Sequence, residues 1–81
     1  MKKAIVQINT AILGIGDDYE GAMHDARESF PDLADTDIVS VHNALAGECV
    51  CVPITDELVE YGATDQWDIV CGVAVFCPWE R

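Results

Sequence analysis

Residues 4–13 read Ala4-Ile5-Val6-Gln7-Ile8-Asn9-Thr10-Ala11-Ile12-Leu13. Every second residue falls on one side: Ala4, Val6, Ile8, Thr10 and Ile12 against Ile5, Gln7, Asn9, Ala11 and Leu13. Successive side chains of extended backbone point to opposite faces, so a period of two predicts a strand. The stretch is expected to form one long strand, its first face buried and its second partly wet, ended by Gly14 and Gly16.

Working outward from that strand, Asp17 and Glu20 have the D-x-x-E spacing of a capping box, which predicts a helix with Asp17 as its N-cap. Tyr19, Ala22, Met23, Ala26 and Phe30 recur at steps of three and four and form its buried stripe. Pro31 disfavours helical geometry at Phe30 and stops it. Residues 37–42 (DIVSVH) and 48–54 (ECVCVPI) read as strands joined by a five-residue connection, with a helix over 38–46 as the rival for the first. Thr55 caps a short helix to about Tyr61, helped by an Ile54–Val59 staple and stopped by Gly62. Residues 67–76 (WDIVCGVAVF) complete the set as a last strand closed by Pro78.

Strand, helix, strand, strand, helix, strand is the order of a two-layer α+β sandwich. The expected architecture is a βαββαβ ferredoxin-like four-stranded antiparallel sheet, with two helices on one face and the other face open. A meander in another strand order is the alternative. The 81 residues, 1–81, make a single domain with material for one core.

Composition narrows the function classes. The formal net charge is −11, yet half the residues are apolar, which separates the chain from disordered acidic tails. Arg27 is the only cation between Ala4 and Glu80, whereas fourteen of the fifteen acids fall within residues 17–68. Such a body repels nucleic acid and anionic membranes and speeds encounter with basic partners. Gln7, Asn9 and Thr10 interrupt the apolar stretch after Lys2-Lys3, and no small-residue cleavage site follows, so no signal peptide is expected. A cytoplasmic location with reduced thiols is the plain expectation.

No motif names a reaction. Cys49-Val50-Cys51 and Cys71…Cys77 lack the C-x-x-C spacing that turns two thiolates toward one zinc, and the expected strand order holds the two pairs apart. They are expected to be free, small buried apolar residues. His24 and His42 have no matched partner spacing, and no oxyanion loop accompanies a Cys–His pair. Gly14-Ile15-Gly16-Asp17-Asp18 stands where a phosphate loop would, but two aspartates there repel phosphate. Asp32…Asp35-Thr36-Asp37 departs from the calcium-loop spacing. The expectation is a non-enzymatic protein with no cofactor and no metal.

What remains is the acidity. Asp17, Asp18, Glu20, Asp25, Glu28, Asp32, Asp35 and Asp37 stand against Arg27 alone, eight minus one or −7 in residues 17–37. Asp56, Glu57 and Glu60 add a second patch. Solubility is served by a mixed surface, and like charges on one helix are mildly destabilising, so a face this one-sided points to a basic partner. In size, charge and layout the chain resembles the small acidic inhibitor proteins of phages and mobile elements, namely anti-CRISPR proteins, other nucleic-acid mimics and nuclease-binding immunity proteins. That resemblance implies a phage-type inhibitor whose acidic surface occupies a basic nucleic-acid-binding site on a CRISPR effector or nuclease. The alternatives are a cysteine-based metal or redox module on Cys49, Cys51, Cys71 and Cys77, and a neutral assembly or adaptor protein using its open sheet face.

Overall fold

A computed structural model describes residues 1–35, 38–62 and 64–78, without the side chains of residues 34 and 35. The chain forms β1 (Lys2–Gln7), β2 (Ala11–Gly16), α1 (Tyr19–Ser29), a 3-10 turn (Pro31–Asp35), β3 (Cys49–Ile54), α2 (Asp56–Tyr61), β4 (Trp67–Val70) and β5 (Val73–Phe76). The class is mixed α+β, but the sheet has five strands in the order β2-β1-β3-β5-β4. All neighbouring strands pair antiparallel except β3 and β5, which run parallel. The four-stranded antiparallel βαββαβ arrangement is therefore not the one adopted.

Two hairpins and the loss of one expected strand account for the difference. The single strand expected over residues 4–13 folds back on itself, with the Thr10 amide donating to the Gln7 carbonyl at 2.9 Å. Asn9 takes φ 60° at the third position of that turn, a left-handed conformation asparagine tolerates better than most residues. The strand expected over 67–76 likewise turns at Cys71-Gly72, both with positive φ (53° and 78°), the geometry of a two-residue type I′ hairpin. The apolar alternation runs straight through both turns, so periodicity alone hides them.

The expected strand over 37–42 is absent where described, residues 36 and 37 lying outside the described set. β3 already has β1 along one edge and β5 at its far end, leaving only a short stretch of free edge. Val39 uses it in a single parallel bridge to Val50. Both helices, by contrast, fall close to their expected ranges.

The sheet is covered on both faces, not on one. On β1, Ala4 and Val6 join Val50, Val52, Ile54, Ala74 and α2's Leu58 in one core. Ile5, of opposite parity, joins Ala22, Met23 and Ala26 of α1, with Leu33 and Cys49, in the other. The helices thus pack on opposite sides, and no wholly open face is left for a partner.

α1 approaches β2 closely because of glycine. A Cβ on Gly14 would lie 2.4 Å from the Ala26 nitrogen and 2.6 Å from the Ala22 carbonyl oxygen. The register slips just there: Ile5 faces Gly14 but Val6 faces Ile12, so Leu13 is an extra, bulged residue. The bulge lets Leu13 pack into the α1 core beside Ile5.

Candidate protein-binding surface

Gly16 is paired with Lys3, and Ile54 with Lys2, so β2 and β3 finish at the same end of the sheet. Both helices therefore start there, bringing Asp17 and Asp18 into the neighbourhood of Asp56 and Glu57. Lys2 serves this end. Its Nζ donates to Asp17 at 2.7 Å, both side chains being exposed. The bond and its attraction hold the Asp17 carboxyl below, and the Lys2 ammonium above, its ordinary range, with a smaller contribution from Asp56 to the lysine.

The acids of the first segment divide by task. Asp18, not Asp17, is the N-cap, its carboxylate accepting the Gly21 amide at 2.7 Å. The cap thus stands one residue later than expected, and Asp17 pairs with Lys2 instead. Asp25 accepts the Ile15 amide at 3.0 Å and so ties α1 to β2. Glu28 approaches His24 at 3.7 Å. Glu20 and Asp32 are exposed and make no side-chain hydrogen bond or ion pair among the described residues. The side chain of Asp35 and all of Asp37 lie outside the described residues. Tyr19, expected in the buried stripe, is instead exposed and interrupts the acidic face of α1 with apolar surface beside Glu20 and His24.

Asp56, Glu57 and Glu60 are all exposed, but on α2 and hence on the other side of the sheet. They meet the α1 acids only at the shared end. The surface brought together there contains Asp17, Asp18, Asp56 and Glu57, while Glu28 and Asp32 run away from it along α1 and beyond.

A second feature escaped the reading of charge and motif. A cleft of about 470 Å³ opens on the α2 side of the sheet. Its floor is Ile8, Val41, Ala44, Trp67 and Ile69, all partly exposed members of the core under α2. With only six residues, α2 cannot roof that whole face, and the cleft is the part left bare. Asp65 and Asp68 stand at its rim. The segment Asp65-Gln66-Trp67-Asp68, an aromatic residue between two acids, was the available signal.

No family model, curated protein or solved structure matches the chain. The surface must be read from its own chemistry.

The thiols do not converge. Cys49 is buried and Cys51 half-buried beneath α1, whereas Cys71 sits on the exposed β4–β5 turn and Cys77 is exposed past β5. β3 and β5 are neighbours, so the distance that strand order was expected to impose on the two pairs is not what separates them. Among the described residues, no three histidine, cysteine or acidic side chains group as a metal site. Burial pushes the Cys49 and Cys51 thiols up, Lys3 partly opposing it at Cys51. That makes them poorer nucleophiles at neutral pH. Among the described residues, no helix is long and apolar enough to cross a membrane.

Proposed function

We propose that this chain is a non-enzymatic binding protein whose acidic surface docks on a basic, nucleic-acid-binding surface of another protein, as the small acidic inhibitors it resembles do. The observation that carries the reading is the exposure of Glu20, Glu28 and Asp32. Glu20 and Asp32 make no side-chain hydrogen bond or ion pair among the described residues, and Glu28 has only a long approach to an exposed histidine. Carboxylates not used internally are available to meet lysine and arginine in place of phosphates. Asp17, Asp18, Asp56 and Glu57 extend the patch across the shared end of the two helices.

Exposed ion pairs contribute about 0–1 kcal/mol each, so the patch works collectively and mainly through encounter rate. The test is affinity capture from a bacterial lysate at low salt. The reading expects a nucleic-acid-binding protein that is released by added DNA or RNA and by salt. Capture only of partners that withstand both would overturn it.

A further inference from the structure

The cleft beneath the bare end of the α2 face is large enough to take several side chains, and its chemistry is not symmetrical. Its floor offers partly exposed apolar surface, including the ring of Trp67. Its rim carries Asp65 and Asp68, and none of its lining residues among those described is basic. Asp68 is fixed there: its carboxylate turns over the edge of β4 to accept the Ile69 amide at 2.8 Å. An apolar, aromatic floor under two carboxylates complements a cation carried on an apolar stem, since the stem buries against the floor while the charge meets the rim. An anion is repelled. A second copy of this chain, at −11, is repelled as well.

We propose that this cleft is a recognition pocket for an arginine-bearing protein segment, one that alternates arginine with apolar residues. The inference deepens the reading that the partner is basic and rests on it, but it locates the specific anchor at the cleft, away from the α1 acids. A volume of about 470 Å³ accommodates a guanidinium with its stem and one neighbouring side chain. The aromatic face and the carboxylates suit guanidinium better than ammonium, because the planar group stacks and donates in parallel at once.

The experiment is a fluorescence titration of the Trp79→Phe protein, in which Trp67 is the remaining tryptophan. The probe is a capped hexapeptide alternating arginine and leucine. Its control replaces arginine by citrulline, which has the same shape and no charge. The proposal expects a saturable change with the arginine peptide and binding about tenfold weaker with the citrulline peptide. Asp65→Asn with Asp68→Asn should remove that difference, while the side-chain amide oxygen that Asp68→Asn leaves in place can still accept the Ile69 amide and keep the edge intact. Lysines at Glu20, Glu28 and Asp32 should leave the titration saturable, so failure here and failure of the α1 patch are told apart. Equal affinity for the two peptides, an unchanged difference in the double variant, or no saturable change would each overturn the pocket. Equally tight binding of butylguanidinium would overturn the protein segment as its occupant.

Discussion

The Asp25 carboxylate accepts the backbone amide of Ile15 at 3.0 Å. Ile15 lies on β2, an edge of the sheet, and at the opposite edge Asp68 does the same for Ile69 at 2.8 Å. Each edge strand thus has one amide occupied by a carboxylate. Unpaired edge amides invite strand addition by another chain, and a charged side chain on them discourages it.

Asp25→Ala should therefore destabilise the fold, although charge alone predicts relief of repulsion. A loss of about 0.5–1.5 kcal/mol is expected from urea unfolding, with Asp25→Asn closer to wild type because its amide oxygen still accepts. Equal midpoints for the alanine variant and wild type would contradict the role.

The two acids at the start of α1 should separate in the same assay. Asp18→Ala removes the cap and should lose about 0.5–2 kcal/mol. Asp17→Ala removes only an exposed pair with Lys2 and should lose much less. Its effect should also depend on pH with a definite sign. The folded Asp17 pKa lies below its unfolded value, so its contribution is present above the ordinary carboxylate range. That contribution disappears as pH falls through the depressed folded value. At the alkaline end the Lys2 contribution disappears as pH rises through its raised value. A gap between wild type and Asp17→Ala that widens on acidification would be the wrong sign.

Gly14→Ala is expected to be severely damaging for so small a change. Its new Cβ would sit within 2.7 Å of backbone atoms of Ala22 and Ala26, which cannot move without displacing α1. A loss of about 3 kcal/mol or failure to fold is expected by thermal unfolding. A midpoint like that of wild type would mean α1 does not pack this close to β2.

How much of this was legible in the sequence follows from where local signals and pairing agree. The Thr55 cap, the Gly62 stop and the Pro31 end of α1 depend on neighbours in the chain and were readable. The turns at Asn9 and at Cys71-Gly72 were not, because apolar alternation continues through them and neither carries the Asn-Gly or Asp-Gly pair that marks a tight hairpin. Missing both merged four strands into two, and the expected strand over 37–42, which does not form, brought the count to four. Of the surface, the exposure of Asp18, Asp25 and Glu28 could be read from helix phase. The internal task of Asp25 could not, since it depends on β2 lying beside α1, nor could the cleft, which joins residues 8, 41 and 67.

The thiols should react in the order of their surroundings. Cys71 and Cys77 should label first with iodoacetamide, Cys51 later and Cys49 last, followed by mass spectrometry of the digested protein. Denaturation should bring all four to the same rate. Cys49 labelling as fast as Cys71 in the native protein would place it outside the α1 core.

The binding of the captured partner to wild type and to the Glu20→Lys, Glu28→Lys, Asp32→Lys variant, measured as association rate against salt, tests the central claim most directly. The three sites were chosen because none caps α1 or ties it to β2, so the variant should fold. The account predicts that wild type associates fast at low salt, slows steeply as salt rises, and is displaced by nucleic acid, while the variant associates at least about tenfold more slowly. Equal rates for the two proteins, unchanged by salt and by nucleic acid, would contradict it.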